Sequence, residues 1–243
     1  MLKAAIFDLD GTLTTSDAIH LQIWKQIFKS NGLAIDDAFF EENISGRQND
    51  DIIAEYFPHL NAAERHQFGE DKEAIFFKLA AGQLKPLPGL FDLLDWIRVN
   101  QLKLALVTNA PRPTALFMLK ALGLADAFDP IVIAGELPRA KPDPMAYRQA
   151  LRRLEIKASQ AVVFEDSPAG IQAALGADIP TVGLTTTHSA ASLLKRGVSL
   201  AIDDFTDGRL LEHLGLFGQP QLEVPVCQER SSASVSPTLV PVW

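Results

Sequence analysis

Six short apolar runs recur along this chain, and most are separated from the next by a stretch with helical periodicity. The first run precedes DLDGT near the N-terminus, and the later ones are KLALVT, PIVIAG, AVVFED, IPTVGL and SLAIDD. Helices are predicted around residues 89–100, 112–122, 143–154, 168–177 and 188–196. Strands that alternate with helices form parallel sheets that carry helices on both faces. The pattern therefore predicts a doubly wound α/β core.

One long segment, between Thr14 and Leu84, interrupts this alternation. It has no clear strand run, and its apolar residues recur at helical spacing, first at Ile23, Trp24, Ile27 and Phe28. The segment ends at LKPLPGL, whose prolines fix φ and cannot extend a helix. We therefore expect an inserted α-helical domain.

The expected domain boundaries follow from these changes in pattern. The helical insertion is predicted to span residues 15–84, and the core to consist of residues 1–14 together with residues 85–217. The final segment, residues 218–243, is rich in Pro, Ser and Val without any period. Such a composition buries little apolar surface, so we expect this tail to be disordered.

The overall charge and the cysteine content exclude several classes of protein. The formal net charge of −8 and the lack of a Lys/Arg cluster argue against nucleic-acid binding. No stretch resembles a signal peptide or approaches the roughly 18 apolar residues of a membrane span. The single cysteine, Cys227, cannot form an intrachain disulfide, which favours a reducing cytoplasm. No obligate protein partner is evident.

Polar side chains with complementary chemistry follow four of the predicted strands. They are Asp8 and Asp10, then Thr108 and Asn109, then Lys141, and finally Glu165 and Asp166. Because ligands bind at the carboxyl ends of parallel strands, these residues are expected to meet in space. Carboxylate oxygens suit Mg²⁺, and the hydroxyl and ammonium donors suit phosphoryl oxygens. The set therefore points to phosphate chemistry with a divalent ion.

Each of these residues also has a simpler interpretation when taken alone. The DLDGT stretch reads equally well as a solvated turn that closes a strand, with Gly11 supplying backbone freedom. Thr108 and Asn109 could begin a turn, and Lys141 could be a surface lysine. Their occurrence in order, each at a predicted strand end, favours the functional interpretation.

Four short motifs resemble those of the haloacid dehalogenase-like hydrolase superfamily. They are DLDGT, VTN, KPDP and FEDSPAG, in that order, and the similarity extends from Lys3 to about Leu216. The long insertion after the first strand places the chain near the helical-capped phosphatase and β-phosphoglucomutase subgroup. The resemblance implies a Rossmann-like core with a helical cap, Mg²⁺ as the cofactor and a small phosphorylated metabolite as the substrate.

The same resemblance assigns roles to the core residues. Asp8 would be the nucleophile and Asp10 the general acid and base, with the Asp10 backbone carbonyl as a second metal contact. Thr108, Asn109 and Lys141 would bind the phosphate. The metal side would comprise Asp8, Asp10, Glu165 and Asp166. Because dehalogenases of the superfamily lack the second aspartate, Asp10 favours phosphoryl chemistry.

Two cap residues are candidates for substrate contacts. His20 lies ten residues after Asp10, where related capped enzymes carry a histidine, although Thr15 replaces the acid usual in that context. Arg47, within ISGRQNDD, lies in a turn that resembles the specificity loop of the cap. Both residues could equally be structural, His20 within a helix and Arg47 on the surface.

A phosphomonoester hydrolase is the favoured function, and two alternatives remain. A β-phosphoglucomutase-type enzyme would need additional phosphate contacts, but this chain has Ala110 and Arg112 where the mutase pattern has small hydroxyl and amide side chains. Asn49 stands where the mutase carries an arginine. The third possibility is a non-catalytic protein that binds a phosphorylated metabolite, which would have no use for Asp10.

Overall fold

A six-stranded, fully parallel sheet forms the centre of the computed structural model, which describes residues 1–215. The strands are β1 (Ala4–Phe7), β2 (Lys103–Thr108), β3 (Ile131–Ile133), β4 (Ala161–Glu165), β5 (Thr181–Leu184) and β6 (Leu200–Ile202). Their order is β3-β2-β1-β4-β5-β6, with all neighbouring strands parallel. This is the order of doubly wound folds, and it confirms the predicted Rossmann-like core.

Ten helices are found among the described residues. They are α1 (Asp17–Ser30), α2 (Asp37–Asn43), α3 (Asn49–Tyr56), α4 (Ala62–Ala80), α5 (Leu90–Val99), α6 (Arg112–Ala121), α7 (Met145–Leu154), α8 (Pro168–Gly176), α9 (Ala190–Lys195) and α10 (Arg209–Gly215). Helices α5 to α10 include one helix in each of the five segments predicted from periodicity. The first four all lie between β1 and α5.

The sheet buries side chains on both faces. On one face Phe7 and Phe164 pack with apolar residues of α5, α6 and α10, and their rings stack with centroids 4.6 Å apart. On the other face Ile6 and Val163 pack with α7 and α8, where Tyr147 is fully buried. Successive strand residues therefore pack into apolar cores on opposite faces of the sheet. This explains why the strand sequences are continuously apolar and do not alternate between apolar and polar residues.

The inserted helices α1 to α4 form a helical cap with its own core. Its centre is a cluster of buried residues with many rings, namely Trp24, Phe28, Phe40, Ile44, Ile52, Ile53 and Phe57. A helical cap on a Rossmann-like core is therefore confirmed. The predicted limits of 15 and 84 remain a prediction, and the predicted tail, residues 218–243, lies outside the described residues, as does the end of the core at 217.

Two antiparallel segments connect the cap with the core. Thr14 and Pro86 form an isolated antiparallel bridge, and the Leu87 amide donates to the Leu13 carbonyl at 2.9 Å. The chain therefore leaves the core and returns to it at the same place. We call this pair of segments, residues 12–16 and 84–88, the hinge.

Strand β1 ends at Phe7, one residue before the first predicted site residue. Asp8 and Asp10 therefore follow the strand and are not part of it. They lie in a tight turn in which the Leu13 amide donates to the Leu9 carbonyl at 2.9 Å. Gly11 adopts φ +76° there, which disfavours residues with a side chain. The turn is needed because the chain must leave the sheet for the cap.

Within residues 1–215, no helix combines the length and the apolar composition needed to cross a bilayer.

Candidate active site

Three carboxylates converge where β1 and β4 end. Asp8, Glu165 and Asp166 each offer an oxygen, and these oxygens lie within 4.8 Å of one another. Strands β1 and β4 are adjacent, but the chain leaves β1 toward β2 on the other side, so this is the topological switch point of the sheet. Ligands of doubly wound folds bind at that point.

Lys141 lies between two of these acids. Its Nζ donates to Asp8 Oδ1 at 2.5 Å, to Glu165 Oε1 at 2.7 Å and to the Val107 carbonyl at 2.8 Å. Burial opposes the charge of the ammonium group, but Asp8 and Glu165 together raise the pKa of Lys141 above its ordinary value. Lys141 is therefore a buried cation, and the interpretation as a surface lysine is wrong.

Asp8 carries a charge that its surroundings oppose. Burial raises the pKa of the Asp8 carboxyl well above its ordinary value, and the negative charge of Glu165 adds to this rise, whereas Lys141 counteracts it. The pKa of Asp166 is also raised, by burial and by the charges of Glu165 and Asp8. One lysine does not neutralise three acids, so the cluster is suited to a further cation.

The Glu165 carboxylate is fixed in place by five hydrogen bonds. Oε1 accepts from Lys141 and from the Tyr147 hydroxyl at 2.9 Å. Oε2 accepts from the amides of Asp166 and Ser167 at 3.1 and 3.2 Å, and from Ser167 Oγ at 3.1 Å. The side chain is fully buried. Ser167 also caps α8 by accepting from the Gly170 amide at 3.1 Å.

Gly170 leaves room for this carboxylate, which gives a prediction about stability. A Cβ at residue 170 would lie 1.6 Å from Glu165 Oε1. We expect Gly170→Ala to lower the free energy of unfolding by about 2 kcal/mol, because overpacking outweighs the better helix propensity of alanine. Urea unfolding measures the change. The matched control is Gly176→Ala in the same helix, where the nearest contact would be an ordinary 3.4 Å. Equal stability of the two variants would contradict the position described for Glu165.

Asp166 is held by residues from two other loops. Thr12 Oγ1 donates to its Oδ1 at 3.2 Å, and Thr187 Oγ1 donates to its Oδ2 at 2.8 Å. A Cβ at Gly11 would lie 2.1 Å from Asp166 Oδ2. The turn after β1 therefore approaches Asp166 closely only because residue 11 is a glycine.

Asp10 faces the cap, away from the three-carboxylate cluster. Its Oδ1 accepts a hydrogen bond from Ser16 Oγ and lies 3.4 Å from His20 Nε2. Burial raises the pKa of Asp10, but the hydrogen bonds from His20 and Ser16 and the charges of His20 and Lys72 outweigh it, so the pKa is lower than usual. The two aspartates of DLDGT therefore have opposite electrostatic environments.

His20 connects Asp10 to a buried charged pair in the cap. Its ring stacks on Phe76 with centroids 4.4 Å apart, and its Nδ1 lies 3.0 Å from Lys72 Nζ. Lys72 in turn donates to Glu73 Oε1 at 2.8 Å. His20 thus lies in the site, between the turn that carries Asp10 and helix α4.

Thr108 and Asn109 follow β2 and lie beside Lys141. Thr108 is buried, and its Oγ1 accepts from the Ala110 amide at 3.0 Å. Asn109 Oδ1 accepts from the Lys141 amide at 3.2 Å, and its Nδ2 donates to the Gly46 carbonyl of the cap at 2.8 Å. Asn109 therefore also bridges the core and the cap.

Arg47 borders the site but has partners within the cap. Its guanidinium donates to Glu55 Oε2 at 2.7 Å and to the Asn43 carbonyl at 2.8 Å. Arg47 therefore lines the site, but its charge is already paired with that of Glu55.

The predicted residues surround one small cavity of about 80 Å³ between the core and the cap. Its walls include every predicted site residue except Glu165, which lies fully buried behind Lys141: they are Asp8, Asp10, His20, Arg47, Thr108, Asn109, Lys141 and Asp166. The cap is thus closed over the core, and we call this space the inner cavity.

The sequence pattern of one family matches most of the chain. The haloacid dehalogenase-like hydrolase pattern covers residues 2–178. This chain is a haloacid dehalogenase-like hydrolase.

Individual relatives agree with that assignment. Validoxylamine A 7'-phosphate phosphatase from Streptomyces hygroscopicus subsp. limoneus is 35% identical over 222 residues, which cover 88% of this chain and 99% of the relative. A phosphorylated carbohydrates phosphatase from Thermotoga maritima is 30% identical, with 74% and 84% covered. The structure of a β-phosphoglucomutase from Clostridium difficile matches with a TM-score of 0.77 and 26% identity, and covers 89% of this chain and 97% of that one. The predicted family and the predicted enzyme class, a phosphatase, are confirmed.

Sequence reasoning missed several residues around the inner cavity of this haloacid dehalogenase-like hydrolase. Chief among them are Lys72 and Glu73 of α4 and Thr114 of α6. One signal could have found the first two. They lie in register with the buried residues Gly69, Phe76 and Ala80 of α4. Charged residues on the buried stripe of an amphipathic helix point to a polar site.

Proposed function

We propose that this enzyme is a Mg²⁺-dependent phosphomonoester hydrolase that acts through an aspartyl phosphate on Asp8. The observation that carries the proposal is the separation of the two aspartates. Asp8 lies in the cation-binding cluster beside Lys141, whereas Asp10 lies 3.4 Å from His20 on the cap side. Nucleophilic attack and proton transfer need two carboxylates in such different environments.

The donor set fits a hard divalent cation. Asp8 and Asp166 offer carboxylate oxygens to the inner cavity, and the Asp10 backbone carbonyl would complete the protein ligands. The Glu165 carboxylate, held by five hydrogen bonds behind Lys141, would add negative charge near the ion. Bound Mg²⁺ would neutralise the approach of a carboxylate to a phosphate dianion. The ion would also neutralise part of the carboxylate charge that Lys141 otherwise neutralises alone. The Lys141 ammonium could then donate to the phosphate.

The reaction is then assigned to residues of this chain. An Asp8 oxygen attacks phosphorus, and the bond from phosphorus to the leaving oxygen breaks while Asp10 protonates that oxygen. Water next attacks the phosphorus of the aspartyl phosphate, Asp10 accepts its proton, and the Asp8 carboxylate is released with inorganic phosphate. Thr108, Asn109 and Lys141 hold the phosphoryl oxygens, and the closed cap excludes other water.

The lowered pKa of Asp10 fits its second task, since the ionised form accepts a proton. The approach of a phosphate dianion would raise this pKa and favour the protonated form needed first. His20 is the residue placed to stabilise the ionised form, because its hydrogen bond and its charge lower the pKa of Asp10. Arg47, already paired with Glu55, contributes less to the phosphate than Lys141 does.

A β-phosphoglucomutase remains the second candidate because of the structural likeness to such an enzyme. The hydrolase is favoured by Asn49. Its Nδ2 donates to Glu73 Oε1 at 2.7 Å, so that an amide bound to a carboxylate occupies the place expected for a cationic phosphate anchor. A bisphosphate intermediate would be poorly held there. A silent binding protein is disfavoured because Asp10 and His20 are in place.

The test is phosphate release from a panel of small phosphomonoesters with and without Mg²⁺. We expect release to fall by about 10²-fold or more in EDTA and to return when Mg²⁺ is added. The panel includes β-glucose 1-phosphate with catalytic glucose 1,6-bisphosphate, which should yield little glucose 6-phosphate. Efficient isomerisation with negligible phosphate release would overturn the hydrolase in favour of the mutase, and activity unaffected by EDTA would overturn the metal assignment.

Three other expectations stay predictions. They are the cytoplasmic location, the absence of nucleic-acid or membrane binding, and the lack of an obligate protein partner. The substrate is proposed to be a small phosphorylated metabolite, as the names of the relatives suggest.

A further inference from the structure

A second, larger cavity adjoins the inner cavity. It has a volume of about 510 Å³ and lies between α3 and α4 of the cap and the start of α6 with the end of β3 in the core. We call it the side groove. The two spaces share five lining residues, which are Asn49, Glu73, Asn109, Pro111 and Thr114.

A small hydrogen-bonded group forms the shared wall. Glu73 Oε2 accepts from Thr114 Oγ1 at 2.5 Å, and Glu73 Oε1 accepts from Asn49 Nδ2 at 2.7 Å. Thr114 belongs to the core, whereas Glu73 and Asn49 belong to the cap. A hydroxyl group of a ligand could replace Thr114 as the donor to Glu73, which would join the two spaces.

The two cavities differ in volume, and the difference decides which part of a substrate each can hold. About 80 Å³ holds little more than the phosphoryl group itself, whereas 510 Å³ lies in the range of about 300–1,000 Å³ that is typical of ligand pockets. The side groove is therefore the adjoining space into which the remainder of a phosphomonoester can extend.

The charges of the side groove restrict what it can hold. Arg112 is the one lysine or arginine among its described lining residues, and both its Nε and its Nη2 donate to Glu136 at 2.6 Å. Of the other acids, Glu73 is paired with Lys72, Glu70 Oε1 lies 3.6 Å from His66 Nε2, and Asp50 completes the set, so the groove keeps an excess of acids. A ligand carboxylate or second phosphate would be repelled, whereas hydroxyl and ammonium groups would find acceptors.

We infer that the side groove is a subsite for the leaving group, and that it selects an extended, polyhydroxylated or amine-bearing alcohol. The inference rests on the proposed function and deepens it. The size of the groove and the wall that it shares with the inner cavity carry the subsite, and the acids decide only its chemistry. Substrates with a short, anionic leaving group are correspondingly disfavoured.

The experiment measures kcat/KM for phosphate release from four esters. They are trehalose 6-phosphate, glucose 6-phosphate, glucosamine 6-phosphate and phosphoglycolate. The disaccharide should be hydrolysed at least as well as glucose 6-phosphate, and phosphoglycolate about tenfold less well or worse. A disaccharide tenfold poorer than glucose 6-phosphate would overturn the subsite, because no room would exist beyond the first ring.

Two charge reversals on adjacent residues of α4 test the chemistry. Glu70 lines the side groove, and Asp71 does not. Glu70→Lys should lower the ratio of kcat/KM for glucosamine 6-phosphate over glucose 6-phosphate by about tenfold, and Asp71→Lys should change it by less than about twofold. Equal ratios in the two variants would overturn the inference. Lack of Asp8-dependent phosphate release from every ester would instead overturn the proposed function.

Discussion

Asp8→Asn is expected to abolish phosphate release, by at least about 10⁴-fold, while the protein stays folded. An amide cannot attack phosphorus as a carboxylate does, and the loss of a nucleophile removes the covalent route altogether. Stability should be retained, because the substitution removes one of three crowded buried acids and leaves Lys141 its bonds to Glu165 and the Val107 carbonyl. Phosphate release and thermal unfolding are measured on the same preparation.

The control for this variant is Asp126→Asn, an exposed aspartate remote from the site in sequence. It should match the parent in both measurements. Substantial phosphatase activity in purified Asp8→Asn would contradict the covalent mechanism whatever the substrate. A large loss of thermal stability would contradict the description of Asp8 as an acid whose charge is opposed by its surroundings.

Lys141→Met is expected to give the largest loss of stability among single changes in the site, about 3–5 kcal/mol. The side chain of Lys141 is 2% exposed and pairs with Asp8 and Glu165. Removal of the cation leaves buried carboxylates without a counterion. The free-energy cost of such an unpaired buried charge is far larger than the net stability that a buried ion pair gives relative to two apolar residues in its place. Activity should be lost as well. Urea unfolding at neutral pH measures the stability.

A second substitution separates this cause from a packing defect. In Lys141→Met/Glu165→Gln one uncompensated charge is removed, and we expect part of the lost stability to return. The exposed Lys120→Met should differ from the parent by less than about 0.5 kcal/mol. The buried charges are not the cause if the free energy of unfolding of Lys141→Met lies within about 1 kcal/mol of that of the parent. They are also not the cause if the stability loss of the double variant equals the sum of the losses in Lys141→Met and Glu165→Gln.

The core and its cluster of polar residues could be predicted because both depend on local pattern. Continuous apolar runs such as AVVFE give strands buried on both faces, and the polar residue that ends each run must then lie at the carboxyl edge of the sheet. Asp8 and Asp166 are brought together for this reason, whereas Lys141 reaches them from a loop, eight residues beyond the end of β3. A turn with Gly11 was one interpretation of DLDGT, but its close approach to Asp166 could not be predicted, because that approach depends on the tertiary packing.

The cap side of the site was harder to predict because it depends on how helices face one another. Periodicity places helix α4 but does not say that Glu73 meets Thr114 of the core across the domain boundary. The pairing of Arg47 with Glu55 likewise depends on the packing of α3 against the loop before it. Charged residues have several possible partners within reach of their long side chains, and only the tertiary arrangement selects among them.

The hinge links the position of the cap to the pKa of Asp10. Residues 12–16 continue directly from the turn that carries Asp10, and both groups that lower the pKa of Asp10 by hydrogen bonding, Ser16 and His20, lie at or beyond it. Rotation of the cap about the hinge would carry His20 away from Asp10 and admit water to the cluster. Under the proposed mechanism, the hinge would therefore couple closure of the cap to proton transfer. Asp10 would keep its lowered pKa only while the cap is closed, so a phosphomonoester whose leaving group cannot hold the cap closed would be hydrolysed slowly.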